Sequence, residues 1–436
     1  MMTHPSWGNY PLLNHEQFEN LKNRHSLLPR TSLKMLPRGL GRSYGDSCLA
    51  GEGLLVGNHL LKHFIGFDPN TGRLICESGV TLDQILQLVV PRGWFLPITP
   101  GTKFVTVGGA IANDVHGKNH HVAGNWGHHV TRFELLRSSG ERLLCSPTEN
   151  SKYFTATLGG LGLTGFITWA EIQLKKISTS WIDQEQIKFS TLDEFFSLSE
   201  ESEKNFEYTV SWVDCLGDTN QIPGIFIRGN HATQSHGKPI LTTHTGGSLK
   251  SIPIFFPNFT LNPLTIRAFN TLYYQKNLRK IQTSHVHYDP FFYPLDSILN
   301  WNRIYGKRGF LQYQCVVPYR SDSGAAITEI FRRIKKSNMG SFLAVLKTFG
   351  KTPSLGTLSF PTEGVTLALD FPNYGAPLLT LLEECDEIVR SVKGRVYPAK
   401  DARMSRESFH TFFPQVTSFQ SLIDPLFESQ FWRRVL

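Results

Sequence analysis

Apolar positions along this chain follow two periods, and the balance between them changes near residue 180. At 82–90 they recur at helical spacing, and Pro91-Arg-Gly93 stops the run. Over 133–144, Phe-Glu-Leu-Leu-Arg followed by Ser-Ser-Gly-Glu-Arg-Leu-Leu predicts a hairpin. Beyond Phe166 the period is two. Thr168, Ala170, Ile172 and Leu174 share one parity, and Trp169, Glu171 and Gln173 the other, so a strand is expected. Short strands, turns and occasional helices thus fill residues 1–178. The stretch that follows is more aromatic, with helices expected at 192–204 and 324–336 and strands at 310–317 and 366–371. If 310–317 is a strand, Gln312 and Gln314 share a face. A helix over 383–392 leads into Gly394-Arg-Val-Tyr397, and 427–436 reads as a short amphipathic helix with late positive charge.

Three glycine-rich segments punctuate the first part: Arg38-Gly-Leu-Gly-Arg-Ser-Tyr-Gly-Asp46, a long run from Pro100-Gly-Thr to His116-Gly117, and Leu158-Gly-Gly-Leu-Gly-Leu-Thr-Gly165. Glycine recurs where backbone must turn sharply or lie against another surface. In the first segment Gly39, Gly41 and Gly45 are spaced one residue too far for a dinucleotide fingerprint, and no crossover helix follows. Successive inward N–H groups forming an anion nest, supplemented by Arg38 or Arg42, is one reading; a plain surface turn is the other. In the second, Gly101 and the Gly108-Gly109 pair frame Val105-Thr-Val107, as backbone passing close to a flat ligand requires. Five histidines follow (His116, His120, His121, His128, His129). No Cys or Glu stands at metal-ligand spacing from them, so hydrogen-bonding or proton-handling roles are expected and no metal.

Composition adds bounds. A chain of 436 residues, 40% hydrophobic and 18% charged, is an ordinary globule long enough for two domains. No apolar run approaches the roughly 20 residues of a membrane span. The first residues lack a basic region followed by an apolar one, so the cytoplasm is the expected compartment. Six scattered cysteines without a C-x-x-C suit reduced thiols. The net charge of +8 is uneven: residues 219–288 hold seven Lys and Arg and no Asp or Glu. The same window carries the proline-broken apolar run Ile252-Pro-Ile-Phe-Phe-Pro-Asn-Phe, unsuited to an ordinary helix. An anionic lipid surface or phosphorylated lipid, nucleic acid, or simply a solvated loop would each account for it.

In order and spacing the glycine segments resemble the FAD-binding domain of the vanillyl-alcohol-oxidase (PCMH-type) flavoenzymes. More closely, Gly41-Arg-Ser-Tyr-Gly-Asp46, Ala112-Asn-Asp-Val-His-Gly-Lys-Asn-His-His121, Gly309-Phe-Leu-Gln-Tyr-Gln314 and Tyr397-Pro-Ala-Lys-Asp-Ala-Arg403 resemble the decaprenylphosphoryl-ribose 2'-oxidases among them. The likeness runs from Trp7-Gly8 to Asp424-Pro425.

The resemblance implies an α+β, two-domain fold: a PCMH-type FAD domain over 1–178, completed by 393–436, and a substrate domain with an antiparallel sheet over 179–392. Cofactor contacts are implied for Arg38, Gly39, Gly41, Arg42, Ser43, Tyr44 and Gly45 in the first loop. From the second come Gly101, Thr102, Gly108, Gly109, Ala112, Asn113, His116, Gly117 and Asn119, with Gly162 and Gly165 from the third. Catalytic roles are implied for His116, as base or orienting group, for Lys400, as a cation beside flavin and substrate, and for Tyr44. Gln312, Gln314, Lys347, Thr366 and Ala368 would line the substrate pocket.

Two departures bear on these roles. Arg42 stands where many sugar oxidases carry the histidine that binds FAD covalently, so non-covalent FAD is implied. Thr366 and Ala368 replace a pocket Asn and Cys of the mycobacterial enzymes, which reshapes the substrate wall. The implied reaction is oxidation of a secondary sugar hydroxyl, the 2'-OH of a polyprenylphosphoryl ribose, with a separate short-chain dehydrogenase completing an epimerisation. The alternatives are a soluble aldose, alditol or lactone oxidase, and a non-catalytic basic protein binding membrane or nucleic acid. Arg42 and the basic 219–288 window favour a lipid-linked phosphate over a free sugar; intact glycine loops beside His116 and Lys400 speak against lost chemistry and against nucleic acid.

Overall fold

The alternation beyond Phe166 becomes the central strand, Phe166–Gln173, of a five-stranded antiparallel sheet. The computed structural model describes residues 4–13, 17–217, 221–243, 250–319 and 323–436. The other strands of this sheet are Phe64–Asp68, Arg73–Glu77, Val130–Leu136 and Arg142–Cys145, the last two forming the expected hairpin. Ala170 and Ile172 enter a core that also takes Leu82, Ile85, Leu86 and Val89 of the helix Leu82–Val89. That helix starts at a capping box: Thr81 Oγ1 accepts from Gln84 N, and Gln84 Oε1 accepts from Thr81 N. Glu171 lies on the polar parity yet is buried, because Arg132 and Thr131 bond its carboxylate. A small parallel sheet, Gln17–Asn20, Leu54–Gly57 and Met35–Arg38, leads into the first glycine loop.

The second layer is an eight-stranded antiparallel sheet. Its order is Ile281–His287, Trp181–Phe189, Gly224–His231, Tyr208–Val213, Ala344–Phe349, Gly364–Pro372, Phe310–Pro318 and Arg395–Val396. One parity of its inner strands (Leu311, Tyr313, Cys315 and Val317 facing Leu367 and Leu369) is packed under the helices Ser323–Ser337 and Ala376–Ser391. The second helix begins seven residues before the expected 383. Pro377 occupies its first turn, where a missing N–H costs nothing, and Leu378, Leu381, Leu382, Cys385 and Val389 keep one buried stripe.

Registration fixes the opposite face. Gln312 pairs with Asp370, Gln314 with Ala368, and Thr366 with Lys347. Residues directly opposite in an antiparallel ladder project to the same side, so these polar groups form one patch. The C-terminal helix Gln430–Val435, capped by Ser429, anchors the edge of that patch. Its Arg434 holds both Asp46 and Asp401, joining the first glycine loop to the loop that carries Lys400.

Candidate active site

Between the glycine loops and the polar patch lies a cavity of about 1020 Å³. The segment around Val107, read from sequence only as backbone flanked by small residues, turns here into the short helix Val107–Ala112. Thr106 caps it by accepting from Gly109 N, and a Cβ on Gly39 would stand 2.5 Å from that Thr106 oxygen. Gly101 has nothing within 4 Å of its Cβ position. Residues 38, 39 and 41–44 line the cavity, as do 101, 102, 108, 109, 112, 113, 116 and 117, then 162 and 165.

Gly45 and Asn119 stand behind the wall. Gly45 lies against the Asp401 carbonyl, and Asn119 donates to Pro97 O at 2.9 Å. Arg38 is committed to structure, its guanidinium donating to Cys48 O and Pro5 O at 2.7 Å each. Arg42 lies over the Trp7 ring at 4.2 Å.

His116 is held from both sides. Lys347 Nζ lies 2.9 Å from its Nδ1 and donates to Gly117 O at 3.1 Å. The Gln314 amide stands 3.1 Å from Nε2 and 3.3 Å from Thr366 Oγ1. Gln314 Nε2 faces His116 Nε2 and donates to Thr366 Oγ1. Burial, reinforced by Lys347, His120 and Lys400, lowers the His116 pKa well below the usual histidine value. The other four histidines of the motif contact backbone: His120 accepts from Gly350 N, and His121, His128 and His129 meet the carbonyls of Phe206, Pro353 and Ala123.

Three lysines converge at this end. Desolvation pushes Lys347 down to about 7, with Lys118 and Lys400 adding repulsion. Lys118, donating to Phe291 O at 2.9 Å, is lowered by burial to about 8. Lys400 sits 3.6 Å above the Tyr44 ring. Burial lowers its pKa too, and the Asp370 carboxylate partly restores it. Asp370, bonded by Gln312, is raised by burial and restrained by that hydrogen bond and by Lys400. The Tyr44 phenol stays protonated, since burial and Asp370 both raise its pKa.

Gln312, Gln314, Lys347, Thr366, Ala368, His116, Lys400 and Tyr44 thus line one space. Sequence reasoning missed Lys118 and Asp370. The signal for Asp370 was present, because it shares parity with Thr366 and Ala368 in a single strand. Lys118 sits two residues after His116 in a loop, where no periodicity marks a face.

A model of the FAD binding domain family matches residues 17–146. The Decaprenylphosphoryl-beta-D-ribose oxidase of Mycolicibacterium smegmatis is 36% identical over 416 residues, 92% of this chain and 89% of that protein. The chain belongs to this family of PCMH-type FAD oxidoreductases. An uncharacterized Streptomyces coelicolor protein is 29% identical over 370 residues, 82% of this chain and all of that one. Human Delta(24)-sterol reductase is 36% identical over 98 residues, 22% of this chain and 19% of its own length.

The cofactor of the family fits the site. Glycine backbone lines one wall where side chains would intrude, the cavity is large, and cations at its inner end suit a group that gains negative charge on reduction. Residues 39–44, 101–102 and 108–117 would hold it, and Lys400 lines the same cavity. The first loop offers Arg42 and no histidine. Acid precipitation of the protein is therefore expected to release all flavin into the supernatant; flavin remaining in the pellet after washing would mean a covalent bond.

Proposed function

We propose that this protein oxidises a secondary hydroxyl of a sugar to a ketone, and that its substrate is a polyprenylphosphoryl ribose oxidised at the 2'-OH. The observation that carries this reading is a single cavity. It joins the glycine wall to a cluster of Lys118, Lys347, Lys400, His116 and Asp370. The Mycolicibacterium relative, named for oxidation of a ribose, supports the sugar class.

Bound FAD supplies the hydride acceptor for the carbinol C–H. The chain's own groups do the rest. Lys400 offers a cation that orients the hydroxyl and stabilises charge developing nearby. His116, with both ring nitrogens engaged by Lys347 and Gln314 and its charged form strongly disfavoured, positions those two side chains rather than acting as a base. Lys347, poised near neutrality, can hold or release a proton at Nζ at physiological pH. Gln312 holds Asp370, whose carboxylate favours the charged form of Lys400. The keto-sugar would then pass to a separate short-chain dehydrogenase, giving net epimerisation.

An anaerobic visible spectrum tests the reading. Adding polyprenylphosphoryl ribose is expected to bleach the flavin band near about 450 nm. Bleaching by free alditols but not by the lipid-linked pentose would move the assignment to a soluble sugar oxidase.

A further inference from the structure

The helix Pro263–Gln275 buries only Ile266 and Asn270. Leu264 and Leu272, with Ala268 between them, recur every fourth residue on the opposite side, and the two leucines are 76% and 69% exposed. Leu278, just beyond the helix, is 91% exposed, and Phe259, just before it, 77%. A soluble helix normally turns its apolar stripe inward; this one also presents a second stripe outward.

Cations surround the stripe. Arg267 on the helix, and Lys276, Arg279 and Lys280 just after it, are all exposed. Among the described residues only Lys280 approaches a carboxylate, Glu194 at 3.9 Å. Phe269, Tyr273 and Lys276, on a flank of this helix, line the cavity described above. The outward apolar face therefore adjoins a helix flank that lines the cavity.

We infer that this helix and its flanking cations dock the protein peripherally on an anionic lipid bilayer, which places the cavity-lining flank beside the membrane. Interleaved apolar and basic side chains on a convex helix match the interfacial region of a bilayer, where acyl chains lie beneath negative headgroups. A second copy of the chain is a poorer occupant, because a two-fold contact would set the same cations against each other. Among the described residues no helix is long and apolar enough to cross a membrane. Delivery of a lipid-linked sugar to the cavity rests on the proposed substrate; docking itself does not.

The test is flotation of the FAD-loaded protein with vesicles of phosphatidylcholine alone or mixed with phosphatidylglycerol, so that no sugar lipid is present. The protein is expected to float with the anionic vesicles and to be released by high salt. Leu264→Ser, Leu272→Ser and Leu278→Ser together should abolish flotation with flavin content and thermal midpoint unchanged. Arg279→Gln with Lys280→Gln should weaken binding roughly thirtyfold. Absence of flotation, equal flotation on neutral vesicles, or a concentration-dependent dimer broken by the leucine substitutions would each overturn the inference. Because the vesicles lack substrate, failure of the bleaching experiment would leave this result standing.

Discussion

Lys400→Ala is expected to lower kcat/KM about 10²- to 10³-fold, the size of effect seen when one preorganised charge-stabilising donor is removed. The cation lies over the Tyr44 ring at 3.6 Å, and its pKa is lowered by burial and partly restored by Asp370. A lysine that must be charged to act works below its pKa and fails above it. The pH profile of kcat/KM should therefore show a falling limb below the ordinary lysine range. Asp370→Asn removes the group that raises Lys400, so the limb should move to still lower pH. Because the two groups titrate together, the limb belongs to the pair. A merely structural lysine would change stability without shifting that limb. Retention of wild-type kcat/KM in Lys400→Ala, or a limb unmoved by Asp370→Asn, would remove Lys400 from the chemistry.

Gly45→Ala is expected to cost about 3 kcal/mol, at the upper end of overpacking effects, and to lose most of the flavin. The new Cβ would stand 1.7 Å from the Asp401 carbonyl oxygen and 2.9 Å from the Ala402 Cα, both backbone. No side chain there can swing aside. Asp401 is also pinned, its carboxylate taking bonds from Arg434 and from Met404 N. The first glycine loop and the Lys400 loop must therefore separate, and both border the cofactor site. Thermal melting and the ratio of flavin to protein absorbance measure the two consequences. Gly66→Ala, with nothing within 4 Å of its Cβ position, is the matched control and should melt like the parent. If Gly45→Ala melts with the control and keeps its flavin, the two loops are not rigidly coupled.

Much of the site could be read from residue order because its parts lie on short-range patterns. Period-two alternation placed Gln312 and Gln314 on one face, and the ladder with Gly364–Pro372 keeps them there. The same period brings Asp370 beside Thr366 and Ala368, although only the resemblance drew attention to the last two. The 82–90 helix was legible because its apolar spacing and its Pro91-Arg-Gly93 stop agree; its Thr81 capping box emerged only in the structure. The outward leucines of Pro263–Gln275 were not legible as such, since a helical stripe in sequence looks alike whether it faces a core or solvent.

Local order along the chain thus determined the strongly periodic helices and strands, where backbone must come close to another surface, and which side chains share a face. What each face meets was decided by the tertiary structure alone. Arg434 closes on Asp46 across 388 residues, and Lys347 reaches His116 across 231. Lys118 and Lys400 lower the proton affinity of Lys347 only because three separate segments deliver them to one cavity. Periodicity records that a position is sheltered from water. It carries no record of its partner, and charge, proton affinity and orientation in a site are properties of the partners.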